Sequence, residues 1–295
     1  HPVAHSFPTR RSSDLPEKRQ IDLARRMAVY AGMVDNMDQN IGRMLEYLER
    51  SGHLHNTLII FLSDNGACAE WGPYGFDLPE ERLQTDRSGK GIGGGTPGLP
   101  SILHDGEELQ QLGGPRSGFA YGSGWANLCN TPLSEYKQYS HEGGIATPMI
   151  IHWPAKIDPA RNGELEDHPG FVFDVTATCL EAAGAEYPAR YEGHDITPIE
   201  GRSLLPVLDG SPLTERIYVY EHFGNAAIRK GDWKLVGREV LNSQGIVDEP
   251  EWELYNIQKD RSEVHDLSDQ YPEMVNNLED AFLKEALRVK ILPKR

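Results

Sequence analysis

Ser63-Asp64-Asn65-Gly66 sets a carboxylate and a carboxamide side by side, directly after the apolar run at residues 58–62. Hard divalent cations such as Ca2+ and Mg2+ take oxygen donors of these kinds, and open α/β sheets gather ligands at the carboxyl ends of their strands. Gly66 would let the backbone turn sharply beside them. The same four residues also suit an ordinary strand-to-loop turn. A second cluster is Tyr136-Lys137-Gln138-Tyr139-Ser140-His141-Glu142-Gly143-Gly144. Lys137 could hold an anionic oxygen of a substrate, His141 could donate or accept a proton, and the glycine pair would let the chain pass close to a bound group. Equally, Lys137 could be a solvated charge and His141 an internally satisfied histidine. Residues 89–94, GKGIGG, carry the letters G-x-G-x-x-G, but the preceding EERLQTDRS is no strand, so this stretch reads as a loop and not as a dinucleotide fingerprint. The doublet Glu221-His222 ends a strand candidate and could face a ligand or simply close the strand.

These residues need elements to hold them. Between residues 16 and 50, Met27, Ala31, Val34, Met37, Ile41, Leu45 and Leu48 recur three or four apart, which predicts a long amphipathic helix ended by Gly52. The uninterrupted apolar run at 58–62 predicts a strand covered on both faces, as in a parallel sheet. A Gly- and Pro-rich region from 66 to 135 has weak periodicity. MIIHW predicts a strand over 149–153, and FVFDVTATCLEAAG a helix from about Asp174 closed by Gly184. After Glu215, RIYVYEHF, AAIRKG, DWKLV and WELYNI read as short strands of a small antiparallel sheet. Met274, Leu278, Phe282 and Leu287 then fit one face of a final helix.

The chain has 295 residues, 38% of them hydrophobic, enough for a sizeable core. Its net charge of −16 argues against nucleic acid or an anionic membrane as partner, and no apolar run approaches the ~20 residues that span a bilayer. Cys68, Cys129 and Cys179 share no zinc-like spacing and are too few for a disulfide framework. The bounds favour an acidic α/β or α+β protein. The first fifteen residues, HPVAHSFPTRRSSDL, have no structural period and resemble a translated sequencing adapter, a non-native segment.

Taken in order, the blocks YAGMVDNMDQNIGRMLEYLERSG, NTLIIFLSDNG, YGSGWANLCNTP, YKQYSHEGGIATPMIIHWPAKI, DVTATCLEAAGAEYP, EGRSLLPVLDG, AIRKGDWKLV and ELYNIQKDRSEVHDL resemble the sulfatase family, arylsulfatase-like enzymes of the alkaline phosphatase superfamily. The resemblance implies an α/β, alkaline-phosphatase-like fold: an incomplete mixed sheet with flanking helices over residues 16–215, then a small C-terminal antiparallel sheet and helix over 216–295. It implies a sulfuric ester hydrolase, with Asp64 and Asn65 as two ligands of the active-site Ca2+, Mg2+ being the alternative ion. Lys137 would contact the sulfate group, with His141 as a substrate-binding neighbour. The family's nucleophile is a formylglycine made from Cys or Ser in a C/S-x-P/A-x-R motif. None of the three cysteines has those flanks, and Ser6-Phe7-Pro8-Thr9-Arg10 fits the letters only inside the adapter-like segment. The chain therefore reads as the C-terminal part of a sulfatase, inactive alone. Its partner would be a small-molecule or carbohydrate sulfate ester, and the resemblance suggests a periplasmic or secreted setting. A phosphatase or phosphonate hydrolase of the same superfamily, or a non-catalytic binding module, are the alternatives.

Overall fold

The computed structural model describes residues 14–70, 72–78, 99–115, 117–242 and 245–292. The Ser6 motif, the GKGIGG stretch and most of the adapter-like segment lie outside the described residues. Helix α1 (Glu17–Arg50) is the long helix that the apolar spacing predicts. It ends as expected: Gly52, at φ +73°, donates its N–H to the Glu49 carbonyl at 2.9 Å. The covered part of the helix differs from the predicted stripe. Val34 and Met37 are exposed, and the buried positions are Asp22 and Arg26. Spacing marks an apolar face, but whether that face is covered depends on what lies beside it. Asp22 and Arg26 are enclosed because they satisfy each other and their neighbours.

In chain order there follow β1 (Ile59–Leu62), α2 (Gly106–Gln111), α3 (Ser123–Asn130), α4 (Glu142–Ile145), β2 (Met149–His152), α5 (Asp174–Ala183), the short β3 (Arg190–Tyr191) and β4 (His194–Asp195), and α6 (Leu205–Leu208). Next come β5 (Ile217–His222), β6 (Asn225–Lys230), β7 (Trp233–Gly237), the short β8 (Leu241–Asn242) and β9 (Gly245–Ile246), β10 (Trp252–Asn256) and α7 (Pro272–Arg288). The chain divides into two compact units. The first is drawn from the stretch up to Ile41, Asn65–Thr147 and the region from Ile217 onward; the second from Gly42–Asp64 and Pro148–Arg216. No helix among the described residues is long and apolar enough to cross a membrane.

In the first unit the expected antiparallel sheet runs in the order β10-β7-β6-β5. Side chains alternate across it with the period of a strand. Ala226, Ile228, Leu235 and Leu254 pack with Leu278, Phe282 and Ala286 of α7 as one core. Leu287, expected on that face, is 58% exposed and Ala286 takes the buried place. Five positions beyond Phe282 is roughly 140° round a helix, whereas four positions return to the same side. The opposite face of the sheet carries Ala227, Val236 and Tyr255 together with Lys234 and Glu253.

In the second unit β1 pairs antiparallel with β2, Ile60 opposite Ile151, and Phe61 and Ile150 are exposed. The apolar run is thus not a parallel strand covered on both faces. Composition alone does not encode the direction of pairing, which the intervening chain sets by how it returns. Helix α5 begins at the buried Asp174, whose carboxylate accepts the Phe171 and Arg202 N–H groups at 2.7 and 2.8 Å and is paired with Arg216. The helix closes on Gly184 at φ +64°, as its sequence predicts.

Candidate functional site

Gly66 is not in a left-handed conformation; it is small because backbone crosses it. Its N–H donates to the Gly144 carbonyl at 2.9 Å, and a Cβ there would sit 1.7 Å from the Gly143 carbonyl oxygen. Gly143 and Gly144 are confined in the same way, by the Glu135 and Tyr139 carbonyl oxygens at 2.2 and 2.0 Å from a built Cβ. Close approach is therefore the reason for all three glycines, but the group that approaches is the chain's own backbone and not a ligand.

The lysine cluster lies along the same seam. Lys137 donates its N–H to the Ala67 carbonyl at 3.1 Å, two residues past Asn65. Asn130, at the end of α3, knits the three segments: its Oδ1 accepts from Ala67 N at 3.1 Å, and its Nδ2 donates to the Glu135 and Gly143 carbonyls at 3.0 and 2.8 Å. The half-buried Lys137 ammonium lies 3.3 Å from Glu70 Oε1. Glu70 also accepts from Gln138 Nε2 at 3.0 Å and from the Cys68 thiol at 3.4 Å. Asn65 is partly buried and engaged by neighbours, and Asp64 is exposed as the last residue of the other unit's segment. Asp64 and Asn65 offer the oxygen chemistry a hard cation prefers, but they are two donors where such an ion takes six or more. No group of three His, Cys, Asp or Glu side chains that could hold a metal occurs among the described residues.

His141 is 1% exposed, with its Nε2 3.1 Å from Glu253 Oε2. It belongs to a set of charges through which the second face of the C-terminal sheet grips the 135–142 segment. Arg238 bridges Glu135 and Glu253, each at 2.7 Å. Buried Lys234 holds Glu142 at 2.9 Å and contacts Glu263 at 2.8 Å, and Glu263 Oε2 accepts the Glu142 N–H at 2.7 Å. Asn225 Nδ2 donates to the Gln138 carbonyl at 2.9 Å. The sequence pattern singles out none of Glu70, Asn130, Lys234 and Glu253 as site builders. The only available signal is that the last three stand inside the NTP, DWKLV and WELYNI blocks.

Glu253 makes this grip sensitive to acid. Burial by itself pushes its carboxyl up, but the hydrogen bond and charge of His141, the Tyr255 hydroxyl and the Arg238 guanidinium outweigh it and bring the value from 4.5 to about 2. A depressed carboxyl stabilises the folded state above its ordinary value and loses that contribution as pH falls through the folded one. Glu253 therefore contributes about 3 kcal/mol at neutral pH that disappears as pH falls from 4.5 to about 2. Urea unfolding followed across that window measures it: Glu253→Gln starts lower at neutral pH and lacks this share of the acid slope. An identical slope in both chains would assign the acid lability elsewhere.

Comparison with known proteins bears directly on this arrangement. The family model "Sulfatase" matches residues 2–185, and "N-sulphoglucosamine sulphohydrolase, C-terminal" matches 135–288. An uncharacterized sulfatase of Schizosaccharomyces pombe is 32% identical over 264 residues, covering 88% of this chain and 43% of that protein. The arylsulfatase of Klebsiella aerogenes is 32% identical over 204 residues, covering 69% of this chain and 39% of its own length. The crystal structure of Ps i-CgsB superposes with a TM-score of 0.56 at 22% identity, over 95% of this chain and 44% of that one, a likeness of fold. The fold is the alkaline-phosphatase-like fold of the sulfatases. This chain spans less than half the length of the curated relatives it matches. The Sulfatase match takes in more than half of this chain, including the SDNG turn and the lysine segment beside it, and the chain belongs to the sulfatase family.

Proposed function

We propose that this chain supplies the sulfate-binding segment and two cation ligands of an enzyme that hydrolyses sulfate monoesters. The observation that carries the reading is the seam itself: the Lys137 N–H on the Ala67 carbonyl and the Gly66 N–H on the Gly144 carbonyl bring the lysine segment against Gly66 and Ala67, which directly follow Asp64 and Asn65 in the chain. Lys137 would meet a sulfate oxygen, where its ammonium stabilises the negative charge that grows as the ester S–O bond breaks. Glu70, which holds the ammonium, would fix its position and release it to the substrate. Asp64 and Asn65 would be two oxygen ligands of Ca2+, or of Mg2+; when bound, the cation supplies further positive charge at the sulfate oxygens. Other ligands would have to complete its shell. His141, enclosed against Glu253, would act from behind by holding the substrate-binding segment in place.

A formylglycine nucleophile is expected from the family, and we assign it to no residue of this chain. None of Cys68, Cys129 and Cys179 stands in the C/S-x-P/A-x-R motif from which that residue is made. The substrate class is a small-molecule or carbohydrate sulfate ester.

Calorimetric titration of the chain with sodium sulfate in the presence of CaCl2 tests this reading. Sulfate binds and Lys137→Ala weakens it about tenfold by removing a charge-assisted hydrogen bond, whereas the calcium dependence is slight with two of six or more ligands present and is lost in Asp64→Ala. Phosphate in place of sulfate separates this reading from a phosphatase. The chain by itself leaves 4-nitrophenyl sulfate intact. Sulfate affinity indifferent to Lys137→Ala would end the assignment, and turnover by pure chain that Asp64→Ala abolishes would place the nucleophile within it.

A further inference from the structure

The doublet Glu221-His222 closes β5, and β6 begins at Asn225, so Phe223 and Gly224 alone form the hairpin turn. Both have positive φ, +52° and +87°, the pattern of a type I′ turn. Such turns favour Asn, Asp or Gly at the first position, and a bulky residue there is strained. Phe223 is also 73% exposed, with its ring 4.2 Å centroid to centroid from His222. Strain and exposed apolar surface both cost free energy, and the hairpin recovers neither through this ring.

The base of the turn is firmly placed. Glu221 Oε1 accepts the Gly224 N–H at 3.1 Å, and the Leu241 N–H donates to the Gly224 carbonyl at 3.1 Å. Buried Asn225 accepts the Glu239 N–H at 3.1 Å and donates to the carbonyl of Gln138, the residue after Lys137. Phe223 precedes Asn225 by two residues, so their Cα atoms are within about 8 Å of each other. The tether thus links the turn that carries this strained, uncovered aromatic ring to the segment that carries Lys137, and strain of this kind concentrates at ligand sites.

We propose that Phe223, stacked on His222, forms the subsite for the organic group of the ester, and that this group carries a ring attached close to the ester oxygen. The ring's flat face, aryl or the C–H face of a sugar, lies on the Phe223 side chain while the sulfate meets Lys137. This rests on the reading of Lys137 as the sulfate-binding residue.

Titrations of the chain in CaCl2 with inorganic sulfate, phenyl sulfate and glucose 6-sulfate separate the two ideas. Phenyl sulfate binds about tenfold more tightly than inorganic sulfate, glucose 6-sulfate shows a margin of the same sign, and Lys137→Ala weakens all three. Phe223→Asn erases the margin and leaves inorganic sulfate unaltered, while Phe223→Tyr keeps it. Asn suits the turn, so the Phe223→Asn chain melts at the same temperature or higher, whereas a merely structural ring would lower it. A margin that survives Phe223→Asn, alongside loss of binding in Lys137→Ala, overturns the subsite and leaves the lysine assignment standing. Anions that fail to bind, or that bind regardless of Lys137, overturn both.

Discussion

Replacing Lys234 with methionine is expected to remove about 3–5 kcal/mol of unfolding free energy at neutral pH, the cost of breaking a buried ion pair from one side. The Lys234 side chain is fully buried between Glu142 and Glu263, at 2.9 and 2.8 Å, so its loss leaves two carboxylates enclosed without a cation. Burial already raises the Glu263 carboxyl, against the pull of Lys234. A carboxyl raised in the folded state favours folding below its ordinary value of 4.5, and that advantage is lost as pH rises through the folded value. The defect of Lys234→Met is therefore largest at neutral pH and shrinks as the solution is made mildly acidic, above the window in which Glu253 titrates. The triple variant that also carries Glu142→Gln and Glu263→Gln recovers much of the loss, because it leaves no buried charge. Denaturant titrations at two pH values decide it. A Lys234→Met chain as stable as its parent at neutral pH would show that the sheet does not hold Glu142 electrostatically. The consequence reaches the site, since Glu142 begins the turn that ends in Gly143 and Gly144 under Gly66.

Arg26→Met is expected to lose a comparable amount, about 3–5 kcal/mol, by the same physics. The guanidinium is fully enclosed. Its Nη2 reaches both Asp77 oxygens at 3.0 and 2.8 Å and the Ile102 carbonyl at 3.0 Å, its Nη1 donates to the Ala120 carbonyl at 3.0 Å, and its Nε reaches Asp22 at 3.3 Å. His104 Nδ1 lies 3.1 Å from the same Asp22. Arg26→Lys does not rescue the loss, because an ammonium concentrates three donors at one point, whereas the guanidinium serves Asp22, Ala120, Asp77 and Ile102 from three separate nitrogens. Denaturant unfolding measures the loss, and hydrogen exchange at residues 72–78 and 99–104 locates it. A change of less than about 1 kcal/mol, the range of surface pairs, would refute the assignment. Sulfate binding should weaken with it, since Trp125 of α3 donates to the Leu23 carbonyl of α1 and α3 ends in Asn130.

Local chemistry was readable wherever one element decides it. The spacing of apolar residues located α1, and the glycines at its end and at the end of α5 stop those helices because few other residues relax at positive φ. The four short β-rich runs announced the antiparallel sheet, and Leu278 and Phe282 announced its helix. Leu287 was misread because a five-residue step leaves the buried face, and the run at 58–62 because an apolar strand has no direction written in it.

The candidate site divides in the same way. Asp64, Asn65 and Lys137 stand out by residue type and by the blocks around them. Glu70, Asn130, Lys234 and Glu253 are ordinary letters until folding brings each within 3.3 Å of a partner far along the chain. The amino-acid order by itself marked the three longest helices, the C-terminal sheet, the family and the side chains proposed to meet a sulfate. Tertiary structure alone decided which charges are enclosed and what they hold, because a buried charge is stable only against partners that the fold, and not the spacing, places beside it.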